Sequence, residues 1–517
     1  MRLLWALLAT TAGVCAEATT SAQPLDPIVY TIRVPAPESH HAEVEAAVPA
    51  GRSESFEMMM PVWSPGYYRV EDYAASVSEV KARTTGGTAL PVEKTRKNRW
   101  RIDAGGQSPV IVSYRVHCNQ SSVTTNSVDA DYAVFNGAPT FMTLAEGQTR
   151  RPHEVRITMP SAWTHAMSGL AAAPGPQPNH FRADSYETLV DSPILAGKLG
   201  VREFDVAGKK HYVVSAGDVT GWDAESATRD LATFVAETHR FWGFLPYDKY
   251  VFLLVFRQAR GGLEHLNSTL SNVSARPREG APQERARWAS LGLLAHEYFH
   301  LFNAKRLRPI ELGPFDFERP PTTGSLWVAE GVTQYYTDLL LERASLRTRD
   351  EYLTSLSNLI GGLQGSPGRL LQSVEQSSMQ VWENSNSGIN PSAATVSYYH
   401  KGHVLGLLLD ARIRRVTGGR RSFDDVMRLA YQRYAGDRGF TGDEFRATAE
   451  EVAGTSLQDW FQRSVSSTEE LQYTDLLETY GLRFISSQGP AGDWRLEVRP
   501  DGTEAQKRNL ESWLKPH

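Results

Sequence analysis

The sequence predicts a multidomain protein, in which an all-β amino-terminal domain is followed by a mainly α-helical domain and a short carboxy-terminal segment. Three observations predict this class. The chain has 517 residues, which is more than one compact domain holds. Apolar and polar residues alternate from about residue 26 to 217, as expected for half-buried strands. Near residue 222 the alternation gives way to helical periodicity.

The first residues are typical of a secretory signal peptide. A basic start precedes the apolar run Leu3–Val14, which is too short to span a bilayer as a permanent helix. We assign residues 1–22 to the signal and expect cleavage after Ala16 or Ala22. Lipid attachment at Cys15 is disfavoured by the residues before it. The sequence therefore predicts export to the periplasm or the cell exterior, without stable membrane insertion.

Composition excludes some classes of protein. The chain carries 54 basic and 59 acidic residues, and a net charge of −5 argues against a nucleic-acid-binding protein. Of its two cysteines, Cys15 would leave with the signal. Cys118 ends an alternating run, so we interpret it as a small buried hydrophobic residue rather than a nucleophile, and no intramolecular disulfide is possible.

We assign residues 23–217 to the β domain, which we expect to be a sandwich. The turn Met60–Tyr67 is rich in aromatic residues, and we interpret it as a packed corner rather than part of a site. Nothing in this domain predicts a catalytic constellation. The expected strands are Ile28–Val34, Ser55–Met60, Trp100–Asp103, Val110–Cys118, Glu154–Met159 and His211–Ser215.

We assign residues 218–470 to the second domain and residues 471–517 to the carboxy-terminal segment. The second domain opens with an amphipathic helix and a buried strand, and helices follow. The expected elements are helix Ala224–Trp242, strand Tyr250–Phe256, and helices at Gln283–Arg306, Gly324–Tyr336, Asp350–Ile360, Val396–Arg415, 422–434, 441–452 and 456–463, with a loop at Gly361–Gly368 and a short helix at Glu504–Trp513.

The helix around His296-Glu297-Tyr298-Phe299-His300 carries the clearest chemical signal. Residues four apart share one face of a helix, so His296 and His300 can bind one ion from the same side. Zn²⁺ takes imidazole nitrogens, needs a third protein ligand and keeps a fourth position for water, from which Glu297 would take a proton. The competing interpretation is a surface histidine pair. It is disfavoured by the apolar residues on both sides of the motif.

Two further acidic positions are candidates for the same site. Glu330 lies in an apolar helix that follows the histidines, and we predict that it is the third metal ligand rather than one half of a buried salt bridge. Glu264 follows the pair Gly261-Gly262 beside a strand. Paired glycines would let a bound peptide approach the backbone, but a simple turn with a charged residue fits equally well.

Four motifs follow one another in the chain, namely Gly261-Gly-Leu-Glu264-His265, His296-Glu-Tyr-Phe-His300, Trp327-Val-Ala-Glu330-Gly331 and Tyr398-Tyr399-His-Lys401-Gly402. In this order they resemble the glycyl aminopeptidase family of gluzincin metallopeptidases, and the likeness covers most of the mature chain. The resemblance implies a β-rich amino-terminal domain and a thermolysin-like (α+β) catalytic domain, with zinc on His296, His300 and Glu330 and Glu297 as the base. By likeness to the membrane alanyl aminopeptidases, it implies that Glu264 binds the amine of the substrate. It also implies that Tyr399 donates to the tetrahedral intermediate.

The sequence departs from the family pattern at three places. The carboxy-terminal segment is too short for the PDZ domain that family members commonly carry. Gln334 stands where thermolysin-like enzymes place an aspartate that supports a metal-ligating histidine, and Asn303 and Asp338 are the candidates for that support. His265 stands where the alanyl aminopeptidases have asparagine.

The leading hypothesis is an exported zinc aminopeptidase with one zinc per chain. Its substrates are short peptides with a free amino terminus, and the family implies small first residues such as Gly or Ala. Two alternatives remain open, a zinc endopeptidase that uses the same site and a non-catalytic peptide-binding protein. Cleavage of a peptide with an acetylated amino terminus separates the first two, and zinc content with peptide turnover identifies the third.

Overall fold

The computed structural model describes residues 25–146, 151–274, 283–383, 388 and 391–515. The predicted signal peptide at residues 1–22, with Cys15, lies outside these ranges.

In the first domain the apolar and polar residues that alternate in the sequence are alternately buried and exposed in the strands. Strand Ile28–Arg33 buries every second side chain, and so does most of Val110–His117. The side chains between them are partly or fully exposed, so one face of the sheet packs against a core.

Among the described residues, eighteen strands precede residue 218, and all six predicted strands are among them. Two short helices, α1 (Gly137–Thr140) and α2 (Tyr186–Val190), interrupt them. The strands are β1 (Ile28–Arg33), β2 (His41–Val48), β3 (Ser55–Met59), β4 (Val77–Thr84), β5 (Ala89–Leu90), β6 (Val92–Arg96), β7 (Arg99–Asp103), β8 (Val110–His117), β9 (Ser127–Val128), β10 (Tyr132–Phe135), β11 (Thr143–Leu144), β12 (His153–Thr158), β13 (His165–Ser168), β14 (Ala171–Ala172), β15 (His180–Ala183), β16 (Ile194–Gly197), β17 (Gly200–Val206) and β18 (Lys209–Gly217).

Three sheets build the β domain around one core. The largest has eight strands in the order β14-β15-β12-β1-β2-β8-β4-β5, and two four-stranded sheets have the orders β13-β16-β10-β9 and β11-β3-β7-β6. Buried residues of all three sheets form a single apolar cluster, which includes Ile32, Trp100 and Phe135. Cys118 is 0% exposed in this core, as predicted. The sequence-based prediction of an all-β domain is confirmed.

The second half of the chain is built on a five-stranded sheet of order β17-β18-β19-β21-β20. β19 (Lys249–Phe256) runs parallel to β18 and to β21 (Ser268–Val273), and β20 (Gly261–Glu264) is an antiparallel edge strand. β19 is buried along nearly its whole length, which explains why its sequence is apolar without alternation. β18, which ends at Gly217, therefore pairs with β19 beyond it, and β17 joins the same sheet through β18.

Helices pack on this sheet and on one another, and several begin with a side-chain cap. The helix that carries His296 and His300 begins as α4, and a π-helical turn, Trp327–Val332, leads directly into α5. The helices are α3 (Ala224–Trp242), α4 (Gln283–Phe299), α5 (Thr333–Arg343), α6 (Arg349–Gly365), α7 (Val374–Met379), α8 (Tyr398–Thr417), α9 (Phe423–Tyr434), α10 (Gly442–Ala453), α11 (Gln458–Ser464), α12 (Thr474–Tyr480) and α13 (Glu504–Leu514), and strands β22 (Leu482–Ile485) and β23 (Arg495–Val498) lie between the last two.

Three predicted helix ends are wrong. α5 continues to Arg343 rather than ending at Tyr336. α4 ends at Phe299 rather than at Arg306, because the chain turns back on itself there: Ala304 has a positive φ of 101° and Leu307 donates to the Phe302 carbonyl. α6 continues to Gly365, through part of the predicted loop. Gly361 lets it do so against Ala491, since a Cβ at Gly361 would lie 2.8 Å from the Ala491 backbone.

The carboxy-terminal segment packs on the helical domain. Trp513 of α13 is 0% exposed and stacks on Tyr480 at 4.4 Å. Its carbonyl accepts a 2.9 Å hydrogen bond from the buried Arg343 of α5. The segment holds two short helices around a two-stranded sheet, and no PDZ domain is detected in the described chain. Within the described ranges, no helix has both the length and the apolar character that crossing a bilayer requires.

Candidate metal centre and active site

The two histidines of α4 lie together as their spacing predicts. His296 and His300 are buried, and their Nε2 atoms are 3.0 Å apart. Their rings meet edge to face at 4.5 Å. Apolar neighbours such as Leu294 and Phe299 fix the helix against the core, so the histidine face is directed into a cavity and not to the surface.

Glu330 reaches the histidines from the π-helical turn. Its Oε2 atom is 3.1 Å from His300 Nε2 and 3.5 Å from His296 Nε2. The turn approaches α8 closely through two glycines, because a Cβ at Gly331 would lie 2.4 Å from the Gly402 Cα. In the described chain, no lysine or arginine forms an ion pair with Glu330. His296, His300 and Glu330 thus form a buried group that could hold a metal ion.

The donor set fits zinc. Three ligand atoms of a tetrahedral Zn²⁺ with bonds of about 2.0–2.1 Å lie about 3.3–3.4 Å apart, and the three observed separations are 3.0, 3.1 and 3.5 Å. Although burial acts to lower it, the pKa of His300 is raised to about 10 by Glu330, Glu264 and Glu297. The surrounding carboxylates thus favour a positive charge where the two Nε2 atoms and Glu330 Oε2 meet. Two imidazoles and one carboxylate are also ligands that Zn²⁺ prefers.

The residues behind the histidines set their orientation. His300 Nδ1 donates to the Asn303 carbonyl at 3.1 Å, which leaves Nε2 free to bind a metal. The Asn303 side chain donates to the Val328 carbonyl at 2.8 Å and so ties the end of α4 to the turn that carries Glu330. Asp338 contacts Arg347 and Gln334 instead. In the part of the chain that the structure describes, His296 Nδ1 has no hydrogen-bond partner.

Glu297 lies on the open side of the histidine pair. The carboxylates of Glu297 and Glu264 and the imidazole ring of His300 each offer one ligand atom, and these atoms lie within 4.8 Å of one another. The backbone of β20 passes directly over it, because a Cβ at Gly262 would lie 2.2 Å from Glu297 Oε1. Burial raises the pKa of Glu297 well above its usual range, and Glu264 and Glu330 act in the same direction while His300 opposes them. A raised pKa makes a carboxylate a stronger base.

Glu264 forms the wall of the cavity on the side of the edge strand. Gly261, Gly262 and Glu264 lie within β20, so the glycine pair is not the simple turn that was one of two interpretations. Glu264 is 4% exposed, and burial raises its pKa to about 7. None of the ion pairs among the described residues includes Glu264. A buried carboxylate of this kind is suited to an ammonium group, which would supply the missing countercharge.

His265, the departure from the alanyl aminopeptidase pattern, faces away from this cavity. Its Nδ1 atom is 3.4 Å from Asp191 Oδ1, and Asp191 also pairs with Lys305 and accepts from the Leu266 backbone. Asp191 follows α2 of the β domain. His265 therefore belongs to the contact between the two halves of the chain and anchors the strand that carries Glu264.

The two adjacent tyrosines at the start of α8 have different environments. Tyr399 lines the cavity, and its ring lies 6.2 Å from that of His296. Tyr398 is 3% exposed and stacks on Tyr399 at 4.9 Å. Its hydroxyl packs against Gly388, where a Cβ would lie 2.5 Å from the oxygen. Only Tyr399 of the pair lines the cavity.

The cavity between these groups has a volume of about 680 Å³. Its lining includes residues that sequence reasoning missed. Gly66 and Tyr67, from the turn interpreted as a packed corner, lie on its wall, and so does Val123. Tyr68 donates to Glu330 at 3.4 Å. The interpretation of this turn as a corner alone is wrong, because the β domain covers the metal site with it; the density of aromatic residues was the only local signal.

Fold and site together define a zinc metallopeptidase. Two family models match the sequence, the Peptidase M61 N-terminal domain over residues 29–198 and the M61 glycyl aminopeptidase over residues 289–405. The matched residues make up more than half of the chain, which belongs to the M61 glycyl aminopeptidase family. The resemblance noted from the four motifs is confirmed. A comparison with curated proteins found no match.

Solved structures show the same fold. An aminopeptidase N family protein from Idiomarina loihiensis matches with a TM-score of 0.82 and 28% identity, over 89% of this chain and 79% of that chain. Two structures of an M1 zinc metallopeptidase from Deinococcus radiodurans also match, each over 87% of this chain and 95% of that chain. One, a variant bound to a Tyr-Ser-Ala substrate, has a TM-score of 0.51 and 14% identity, and the other 0.53 and 12%. At these identities the last two show the fold alone.

Proposed function

We propose that this zinc metallopeptidase is an exported aminopeptidase, which removes small first residues such as Gly or Ala from short peptides. The family supports the class of reaction. The observation that carries the finer proposal is Glu264, a buried carboxylate without an ion pair among the described residues, beside the metal ligands. Gly66 closes the space behind it, since a Cβ there would lie 2.3 Å from Glu264 Oε1. A free amine beside Glu264 would supply the countercharge that this buried carboxylate lacks, whereas a blocked amino terminus would not.

The chain's own residues supply the remaining chemistry. His296, His300 and Glu330 would hold one Zn²⁺, which when bound polarises a peptide carbonyl and acidifies water. Glu297 takes a proton from the attacking water and returns it to the departing amine. Tyr399 donates a hydrogen bond to the oxygen that gains negative charge. Glu264 holds the ammonium group of the substrate, so that the first peptide bond lies beside Glu297.

The role of Glu264 leads to a test with two substrates. Glu264→Gln keeps the volume of the side chain against Gly66 but removes its charge. On a dipeptide with a free amine, kcat/KM should fall. The loss should correspond to about 2–5 kcal/mol of transition-state stabilisation, because a charge-assisted contact is lost. Zinc content should not change. kcat/KM measured on the free dipeptide, and on any residual hydrolysis of its acetylated form, checks this; an equal loss on both would show that Glu264 is structural.

The environments of the two tyrosines lead to a second test. Tyr399→Phe keeps the ring and removes only the donor, so kcat should fall by roughly 10²–10³ while KM and zinc content hardly change. Tyr398→Phe is the matched control. It should cost much less, because Tyr398 is buried beneath Tyr399. Steady-state kinetics on one free-amine dipeptide compares the variants. A larger loss for Tyr398→Phe, or no loss for either, would overturn the assignment.

Export is a separate part of the proposal. It is supported by the basic start and apolar run within residues 1–22. Amino-terminal sequencing of the protein recovered from its host tests it, and a retained Met1 would contradict it.

A further inference from the structure

A turn of the β domain reaches the metal site across the boundary between the two halves of the chain. We call residues 60–68 the site turn. Its backbone is fixed to the peptidase half, because Val62 donates to the Phe317 carbonyl and Trp63 Nε1 donates to the Asp316 carbonyl, both at 2.9 Å. Trp63 is 1% exposed and packs edge-on against Trp382 at 5.6 Å. The site turn is therefore held in place independently of the metal ligands.

Tyr68, at the end of the site turn, contacts the ligand carboxylate. Its hydroxyl donates to Glu330 Oε1 at 3.4 Å, at the long end of the hydrogen-bonding range. Its ring packs edge-on against Trp382 at 5.9 Å, which limits where the hydroxyl can move. The two residues are 262 positions apart in the sequence, so the contact depends wholly on the packing of one domain on the other.

The two oxygens of Glu330 have different partners as a result. Oε2 faces the nitrogens of His296 and His300, whereas Oε1 faces Tyr68. A carboxylate can bind a metal through one oxygen or both. If Oε1 also turned to the metal, it would occupy a position that a catalytic zinc site keeps for water or substrate. A hydrogen bond to Oε1 opposes that rotation.

We propose that Tyr68 is a positioning residue, supplied by the β domain, which holds Glu330 so that it offers only Oε2 to the metal. This role rests on the proposed function in one respect, which is that Glu330 ligates zinc. It differs from the role proposed for Tyr399, which lines the cavity and would donate to the oxygen that gains negative charge. The β domain is thereby part of the metal site and not only a neighbour of it.

The experiment measures the metal rather than the peptidase reaction. Tyr68→Phe keeps the ring and its contact with Trp382 but removes the hydroxyl. Zinc affinity, measured by competition with a chromophoric chelator, should fall roughly 10–100-fold, as is typical when a residue that supports a ligand is lost. The visible absorption bands of the Co²⁺-substituted protein should weaken, because these bands lose intensity when a second carboxylate oxygen raises the coordination number.

Tyr73→Phe is the matched control. Tyr73 lies close to the site turn, and its buried hydroxyl shares a 2.8 Å hydrogen bond with Ser64. Its loss removes a buried hydroxyl from the same region without touching Glu330. Zinc affinity and the cobalt spectrum should stay as in the unsubstituted protein, even if the unfolding temperature falls. Equal losses of affinity in the two variants would overturn the proposal, because the effect would then be structural.

Glu330→Ala separates the two ways in which the proposal can fail. If Tyr68→Phe binds zinc normally and keeps its cobalt spectrum while Glu330→Ala loses zinc, Glu330 is a ligand and Tyr68 does not position it. If both variants bind zinc normally, the ligand assignment itself is wrong and the role of Tyr68 falls with it. Weaker zinc binding by Tyr68→Phe, with an altered cobalt spectrum and an unaffected Tyr73→Phe, supports the proposal.

Discussion

Glu297→Gln is expected to retain zinc and to lose peptide hydrolysis. The amide keeps the shape that fits under Gly262, whose Cβ position lies 2.2 Å from the carboxylate. It cannot accept a proton from water or pass one to the leaving amine. Because general acid–base catalysis by a side chain typically contributes 10²–10⁴-fold to the rate, kcat should fall by about that factor. The zinc content should stay the same, because the proposed role of Glu297 is proton transfer and not metal coordination.

Zinc content by atomic absorption and turnover of a free-amine dipeptide check this prediction together. Glu237→Gln is a suitable control, because Glu237 is a buried glutamate of α3 that pairs with Arg240 at 2.7 Å, outside the cavity lining. It should keep both zinc and turnover. A metal-free Glu297→Gln protein, or one with near-normal kcat, would show that Glu297 is not the base.

Replacing His296, His300 or Glu330 with alanine should remove zinc and activity together. Each change takes away one of three ligand atoms that converge within 3.0–3.5 Å of one another. The two remaining groups cannot complete a tetrahedral site, and the buried partners are left unsatisfied. Purified wild-type protein should carry about one zinc per chain, and each variant almost none, with hydrolysis reduced to background.

His180→Ala is the control for the loss of a buried histidine. His180 is 6% exposed and pairs with Glu154 at 3.0 Å within the β domain. Its replacement can lower the free energy of unfolding but should leave zinc bound. If one of the three alanine variants keeps full zinc and full activity, that residue is not a ligand, and the geometry described for it has another purpose.

The parts of the site that could be predicted from sequence are those that local geometry determines. His296 and His300 share a helix face because they are four residues apart, and Glu330 stands out because a carboxylate in an apolar helix needs a partner. Alternation of burial likewise follows from the two-residue period of a strand. These signals predicted the β domain, the helical domain and the metal helix.

The parts that could not be predicted depend on packing between distant segments. Tyr68 and Gly66 reach Glu330 and Glu264 only because the site turn is fixed on the peptidase half, and no local pattern reports such a contact. The early end of α4 has a similar cause. The chain turns after Phe299 so that the Asn303 carbonyl can accept from His300, and helical periodicity in the apolar residues that follow gave no sign of it.

The most direct test of the central claim uses the zinc-loaded wild-type protein and two substrates, an Ala-containing dipeptide and its acetylated form. The account predicts cleavage of the free-amine dipeptide only, with activity lost on chelation and restored by zinc. Comparable cleavage of the acetylated form would contradict the amine-binding role of Glu264 and indicate an endopeptidase. Failure to cleave either peptide, with one zinc bound per chain, would contradict the assignment as an aminopeptidase and favour a protein that binds peptides without hydrolysing them.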